Sequence, residues 1–136
     1  LKGFNEVTKG NGYYKARLST AASPKELMAG NYMLRSISKA KNTDHVIYTM
    51  ESFEQYPDLH YATLDFKKSI RLTHGIDKQK DYLWGTAELV SWISLDGSKL
   101  EGVVYKPADF DPAKKYPMIV SFYERNSETL FNYRMP

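Results

Sequence analysis

The sequence predicts a mainly β fold of antiparallel strands, with a different arrangement of strands beginning near residue 87. Aromatic residues make up 14% of the 136 residues and include eleven tyrosines, and such side chains fit the half-buried surface of a sheet. Short strand-like runs also follow one another closely up to residue 74, with turn-forming residues between them. This spacing is typical of an antiparallel sandwich, a barrel or the blades of a propeller.

The strand-like runs of the first half can be placed in chain order. They cover residues 12–19, which are rich in aromatics, 23–38, 46–53, which are enriched in β-branched residues, 59–66 and 70–74. An Ala-Gly-Asn break at 29–31 divides the second run in two, because glycine and asparagine favour turns. Polar segments between the runs are predicted as turns at 39–45, 54–58 and 67–69, and as a polar connector at 75–82.

A hairpin and a proline-rich connector are predicted after residue 87. Residues 87–105 form two β-like runs joined by Asp96-Gly97, a dipeptide typical of tight hairpin turns. Three prolines then fall within residues 107–117, and because each removes a backbone donor, this stretch is predicted to be extended. The core of the apolar run at 118–123 lacks alternation and is therefore predicted as a strand buried on both faces, as in a parallel sheet.

Composition and charge exclude several kinds of site and partner. The chain has no cysteine, which excludes disulfides, thiol catalysis and iron–sulfur clusters. His45, His60 and His74 lack the spacing of a zinc site and are predicted to be surface or edge residues, so neither a metal nor another cofactor is expected. The net charge of +3 is spread along the chain, which argues against a nucleic-acid interface. No signal peptide or membrane-spanning apolar run is visible.

Several features follow one another in the stretch ELVSWISLDGSKLEGVVYKPADFDPAKKYPMIVSFYERN, residues 88–126. A strand with a tryptophan precedes the Asp-Gly turn, a second strand ends in Tyr-Lys-Pro, and Asp-Phe-Asp-Pro and Lys-Lys-Tyr-Pro lead to the apolar run. This order resembles the junction between the β-propeller and the α/β-hydrolase domain in the prolyl oligopeptidase family of serine peptidases, in its dipeptidyl-peptidase-like branch. The resemblance covers roughly residues 44–125, and residues 1–43 fit as earlier propeller sequence.

The resemblance implies a division of the chain into two parts. Residues 1–86 are expected to be the C-terminal part of a β-propeller, including its last blade or blades. Residues 87–136 are expected to be the N-terminal strands of an incomplete α/β-hydrolase domain. The chain is then a segment of a longer serine peptidase.

The resemblance also implies a role for Tyr123. In the dipeptidyl-peptidase-like branch, a tyrosine at the end of this apolar strand offers its hydroxyl to the oxyanion hole, where the tetrahedral intermediate develops negative charge. Tyr123 occupies that position here. The residues alone, without the resemblance, favour an aromatic side chain that packs by its ring at a strand end with its hydroxyl in water. Many relatives have a small, glycine-rich segment next, whereas the bulkier Glu124-Arg125-Asn126 would narrow the site, form a local ion pair or point away.

The remaining catalytic groups of a serine peptidase are not recognisable in these 136 residues. Acyl transfer needs a nucleophile, a base and an orienting carboxylate, and an α/β-hydrolase carries its serine in Gly-x-Ser-x-Gly, a motif absent from this sequence. Ser121 and Ser127 lack the flanking glycines and are interpreted as ordinary polar residues. We therefore expect a peptide substrate for the longer protein, no activity from this chain by itself, and self-association through unpaired strands.

Two other functions stay open. One is a free-standing β-sandwich that binds a peptide or a glycan through exposed tyrosines. The other is a catalytically dead relative of the peptidases that keeps the fold for protein interaction. A Gly-x-Ser-x-Gly motif downstream in the reading frame would separate both from an active serine peptidase.

Overall fold

The computed structural model describes residues 1–19 and 21–135, and within them the chain is mainly β. Nine strands form three antiparallel sheets of three, four and two strands, and neighbours in each sheet are consecutive in the chain. The predicted class, a mainly β fold of antiparallel strands, is confirmed. No helix in the described residues is long and apolar enough to cross a membrane.

The first sheet contains three strands, and side-chain hydrogen bonds shape its first connection. The strands are β1 (Lys2–Phe4), β2 (Asn11–Lys15) and β3 (Lys25–Gly30). Between β1 and β2, the Asn5 side-chain oxygen accepts hydrogen bonds from the backbone N–H groups of Val7 and Thr8, both at 2.9 Å. Asparagine favours such local bonds, and they turn the chain back toward β1.

The second sheet is a four-stranded meander. Its strands are β4 (Met33–Lys39), β5 (His45–Ser52), β6 (Gln55–Thr63) and β7 (Ser69–Arg71). Each strand pairs antiparallel with the next along the chain. The predicted break at residues 29–31 is confirmed as the point where the chain leaves the first sheet at Gly30 and enters the second at Met33.

The predicted turn at residues 54–58 is wrong. The chain reverses at residues 53–54, and β6 already begins at Gln55. Pro57 therefore lies inside a strand, where it has no N–H group to donate. The pairing of β5 with β6 contains an irregularity just after Met50, beside this proline. A bulge accepts a proline because the ladder of hydrogen bonds is already interrupted there.

The main core joins the first sheet to the second. Its buried apolar side chains come from β2, β4, β5 and β6 and are Tyr13, Leu34, Val46, Tyr48 and Ala62. The Tyr13 ring stacks on Phe66 with centroids 5.3 Å apart and meets the Tyr48 ring edge-on at 6.4 Å. Aromatic pairs in these arrangements add stability beyond the area they bury. Some of the many tyrosines therefore belong to the hydrophobic core.

The third sheet is the hairpin that Asp96-Gly97 predicts. Its strands β8 (Thr86–Ile93) and β9 (Lys99–Lys106) pair along their whole length. Gly97 has a φ of 85°, a left-handed conformation that glycine adopts without a steric penalty. The Asp96 carboxylate accepts a hydrogen bond from the Ser98 backbone N–H at 3.0 Å. Both residues of the dipeptide therefore stabilise the turn, as the sequence predicted.

The predicted polar connector at 75–82 contains one helical turn, α1 (Ile76–Gln79). A helix of this length is unstable by itself because it forms too few hydrogen bonds to offset the cost of nucleation. Its start is held by the Asp58 carboxylate of β6, which accepts hydrogen bonds from two backbone N–H groups there. At its end, the buried Gln79 side chain donates to a backbone carbonyl of the β5–β6 turn at 2.9 Å.

The C-terminal part of the chain folds back onto the second sheet. A 3₁₀ helix at Asn126–Thr129 begins this return. The Tyr133 ring then stacks on Trp84 with centroids 5.1 Å apart and an angle of 14° between the planes. The Tyr133 backbone N–H also donates to Glu51 of β5 at 3.3 Å. These contacts anchor the chain after a long irregular stretch.

Trp84 provides a test of this anchor, because its indole N–H donates to the Phe53 carbonyl oxygen at 2.7 Å. We expect Trp84→Phe, which keeps a ring for Tyr133 but removes the donor, to lower the free energy of unfolding by about 1 kcal/mol. Urea denaturation would measure the change, with Tyr82→Phe at an exposed side chain as the control. An equal free energy of unfolding in both variants would contradict a stabilising role for this hydrogen bond.

Residues 118–123 do not form the predicted strand. The segment is irregular, and its side chains lie in solvent, with Ile119 98% and Phe122 90% exposed. A strand needs a hydrogen-bonded neighbour, and none of the described strands pairs with this segment. The sequence pattern of residues 118–123 is that of a buried strand, but no sheet within the described residues includes this segment.

Candidate functional site

Tyr123 stands at the end of the irregular segment with its side chain in solvent. It is 73% exposed, so its ring is not packed against the described part of the protein. A tyrosine that serves only packing normally buries its ring and leaves the hydroxyl at the surface. The hydroxyl of Tyr123 is therefore accessible to a group that approaches from outside.

The backbone of Tyr123 is held by Asn126, three residues further on. With its oxygen turned toward the backbone N–H, the Asn126 carboxamide accepts from the Tyr123 nitrogen and donates to the Tyr123 carbonyl oxygen, both at 3.2 Å. Between them, Glu124 has a left-handed φ of 29°, which turns the chain into the 3₁₀ helix. This local contact links the main chain at Tyr123 to the start of the 3₁₀ helix, while the Tyr123 side chain stays accessible.

Arg125 ties the same turn to the first sheet. Its guanidinium lies 2.8 Å from the Glu6 carboxylate in the β1–β2 loop and 2.7 Å from Glu128. The hydrogen bond to Glu6 and the charge of Glu128 raise the pKa of Arg125. Because these side chains are largely exposed, solvent screens the pairs and each stabilises the fold little. Glu124-Arg125-Asn126 was expected to narrow the site, form a local ion pair or point away, and the structure has a local ion pair between Arg125 and Glu128.

The described residues do not assemble a serine–histidine pair. Ser121 is exposed and Ser127 half-buried in the 3₁₀ helix. His45 lies at the start of β5, where its ring nitrogen is 3.0 Å from the Thr43 hydroxyl. His74 lies in the exposed stretch after β7. No hydrogen bond joins a histidine to a serine hydroxyl within residues 1–19 and 21–135.

The prediction that His60 is a surface or edge residue is wrong. His60 is 8% exposed, and its ring stacks on Tyr48 with centroids 5.2 Å apart. Burial lowers the pKa of His60, which favours the neutral ring. The alternation of β6 explains the position, since residues 58, 60 and 62 all face inward. Two of these three inward-facing residues, Asp58 and His60, are polar. The sequence pattern therefore does not mark this face of β6 as part of the core.

Asp58 is a buried carboxylate that sequence reasoning missed. Its side chain is fully buried and accepts hydrogen bonds from the Thr73 hydroxyl and the Gly75 backbone N–H at 2.7 Å, and from the Ile76 N–H at 3.3 Å. Burial by itself raises its pKa, but these bonds and the nearby Arg71 charge together bring the pKa below its usual 3.8. Asp58 thus organises the segment that leads into α1.

An open groove of about 840 Å³ lies beside β2 and the β6–β7 connection. Its walls combine apolar side chains with charged ones of both signs, among them Leu1, Leu18, Leu27, Lys15, Lys67, Lys68, Asp44 and Asp65. Its volume falls within the range of small-molecule sites.

No group of three or more histidine, aspartate or glutamate side chains within the described residues lies close enough to hold a metal.

Comparison with known proteins adds no family to these observations. No protein-family model matches the sequence. A search of curated proteins likewise finds no match.

Proposed function

We propose that this chain is part of a serine-type peptidase that resembles the prolyl oligopeptidase family and hydrolyses peptide bonds by acyl transfer. In this proposal, residues 1–86 end a β-propeller and residues 87–136 begin the hydrolase domain. Tyr123 contributes its hydroxyl to the oxyanion hole. The serine, histidine and aspartate of the triad come from outside these 136 residues, so the chain alone is inactive.

The observation that carries the proposal is the hairpin β8–β9 followed by the exposed Tyr123. In the family that this chain resembles, an Asp-Gly hairpin and a proline-rich connector precede the tyrosine whose hydroxyl donates to the oxyanion. The hairpin forms at Asp96-Gly97, and Tyr123 has an accessible side chain beside a turn in which the Asn126 carboxamide contacts its backbone. The local structure is therefore compatible with the role.

The four-stranded meander β4–β7 supports the proposal independently of Tyr123. Propeller blades are four-stranded sheets whose strands run antiparallel in chain order, and the second sheet has this number and order. The first sheet precedes it with three further strands, connected at residues 31–32. A succession of such sheets is what the end of a propeller requires.

The chemistry asked of Tyr123 is electrostatic. When a nucleophile attacks a peptide carbonyl, negative charge develops on its oxygen, and a positioned donor stabilises that charge more than it stabilises the substrate. A phenol is protonated at neutral pH and donates one hydrogen bond. Its effect increases when water is excluded from the site, because a lower local dielectric strengthens the interaction.

The reading frame that contains this chain provides the direct test. We expect the protein made from the full reading frame to hydrolyse an aminoacyl-prolyl reporter and to react covalently with a fluorophosphonate, a reagent for activated serines, at a Gly-x-Ser-x-Gly motif. The 136-residue chain is the matched control and should neither hydrolyse the reporter nor be labelled. A folded full-length protein that shows neither reaction would overturn the proposal.

The groove beside β2 favours the binding module as a second candidate function. Its apolar side chains offer packing surface to a peptide, and its lysines together with Asp44 and Asp65 offer charged groups of both signs. A full-length protein that binds peptides but never reacts with the fluorophosphonate would favour this candidate over the peptidase.

A further inference from the structure

His60 is a buried titratable side chain that the proposed catalytic mechanism does not use. It lies on the inward face of β6, and its Nε2 atom has no hydrogen-bond partner within the described residues. A neutral imidazole carries one ring proton, whereas an imidazolium carries two. Protonation therefore adds a positive charge and turns Nε2 into a buried donor without an acceptor, which is costly in a folded protein.

The neighbouring strands place a cation, and no free counter-charge, directly beside His60. The register sets Tyr48 of β5 and Arg71 of β7 opposite His60, so the three side chains share one face of the sheet. The Tyr48 hydroxyl is already hydrogen-bonded to Ser69 at 2.9 Å. Arg71 has the same charge as an imidazolium, and like charges directly opposite each other are destabilising.

Asp58 is the counter-charge on the same face, and other groups already use its carboxylate. It accepts three hydrogen bonds and lies 3.9 Å from Arg71. The helical turn α1 also packs on β6, and its buried residue is the neutral Gln79. Burial lowers the pKa of His60, the Asp58 charge opposes that shift, and the Arg71 charge adds to it. The surroundings of His60 therefore favour the neutral ring.

The strand β7 is the element on which a charged His60 would act. It has three residues, all exposed, and lies at the edge of the second sheet beside β6. Short elements with few buried contacts open locally before the whole protein unfolds. Repulsion between His60 and Arg71 therefore acts on a pairing that little apolar burial supports.

We propose that His60 makes the pairing of β6 with β7 a pH-sensitive switch, in which protonation of its ring releases β7 and opens the edge of β6. Release moves Arg71 away from the imidazolium and lets water reach the ring. An open edge presents backbone donors and acceptors with which another strand can pair. The inference concerns the fold of this chain and does not rest on the proposed peptidase activity.

The direction of the switch follows from proton linkage. In the released state the ring is in water and has an ordinary histidine pKa of about 6.5, whereas in the closed state its pKa is lowered. The closed state is therefore fully favoured above the ordinary pKa and loses stability as the pH falls from there through the lowered pKa. Asp58 stays ionised in this range, because its pKa lies below 3.8.

Amide hydrogen exchange of the 136-residue chain, followed by NMR, tests the switch. Between about pH 7.5 and about pH 5, we expect the protection factors of amides paired between β6 and β7 to fall roughly tenfold. Protection factors already correct for the intrinsic effect of pH on exchange. Amides paired between β4 and β5 should keep their protection. The ring signals of His60 in the same samples should titrate below the ordinary pKa of about 6.5.

Three variants separate His60 from other causes of acid sensitivity. His60→Phe keeps an aromatic ring against Tyr48 but cannot be protonated, so the protection of β7 should no longer depend on pH. Arg71→Gln removes the like charge and should make the fall smaller. His45→Phe is the matched control, because it removes a histidine that stacks on Tyr61 rather than on the inward face, and it should leave the fall unchanged.

Protection of β7 that is independent of pH in the original chain would overturn the proposal. So would an equal fall in His60→Phe, a fall that Arg71→Gln leaves unchanged, or a His60 ring that titrates at or above its ordinary pKa while β7 stays protected. The ring titration uses the original chain, so it decides the question even where a variant does not fold.

Discussion

Replacing Tyr123 with phenylalanine should lower the kcat of the proposed full-length peptidase by about 10²–10³-fold, with a smaller effect on KM. The substitution keeps the ring and removes only the hydroxyl. If that hydroxyl binds the developing oxyanion, its loss raises the energy of the transition state and leaves the bound substrate nearly unaffected. Steady-state kinetics with an aminoacyl-prolyl reporter would separate the two parameters.

Tyr82→Phe is the matched control for this experiment. Tyr82 is 63% exposed, similar to Tyr123, but it follows α1 and has no place in the proposed site. Its substitution should leave kcat within a factor of about two, as surface changes usually do. If Tyr123→Phe behaved like Tyr82→Phe in a correctly folded enzyme, Tyr123 would lose its proposed catalytic role.

Asp58→Ala should lower the free energy of unfolding by about 3–5 kcal/mol, the largest stability effect we expect in this chain. The substitution leaves the Thr73 hydroxyl and the Gly75 and Ile76 N–H groups without their common acceptor. Urea denaturation at pH 7 would measure the loss. Asp81→Ala removes a carboxylate from an exposed position and should change the free energy by less than about 0.5 kcal/mol. Equal effects at the two positions would contradict the network.

The same carboxylate gives stability a pH dependence with a defined sign. The folded state holds the pKa of Asp58 below its usual 3.8, so folding favours the charged form. The stabilisation is complete above the unfolded pKa and is lost as the pH falls through the folded pKa. We therefore expect the stability difference between the original chain and Asp58→Asn to shrink in acid below about pH 4. A difference that stays constant from pH 7 to pH 2 would contradict this linkage.

Local signals in the sequence predicted the elements that depend on local chemistry. Asp96-Gly97 determines a turn by its own backbone preferences, and the break at 29–31 does the same between the first two sheets. The same reasoning failed at Pro57, because an irregularity in the pairing of β5 with β6 accommodates a proline that ordinarily ends a strand. That irregularity depends on the partner strand and leaves no local mark.

The residues around the candidate site were predicted unevenly for a similar reason. Tyr123 was recognisable from the order of motifs, and its catalytic role stays a prediction. The contact of Asn126 depends on a turn, and the ion pair of Arg125 depends on Glu6 near the other end of the chain. No local sequence pattern predicts either contact. Asp58 and His60 were missed because polar residues on an inward face interrupt the apolar alternation that marks a core.

The return of the chain at Tyr133 has a consequence for how the molecule tolerates change in length. Residues 107–132 form a connection closed at both ends, by the hairpin on one side and by the stacking of Tyr133 on Trp84 on the other. Doubling the length of a flexible closed loop costs only about 0.6 kcal/mol. Insertions among the prolines of residues 107–117 should therefore be inexpensive. The contacts of Asn126 and Arg125 that place Tyr123 follow this connector in the chain, so the position of Tyr123 should be largely insensitive to the length of the connector.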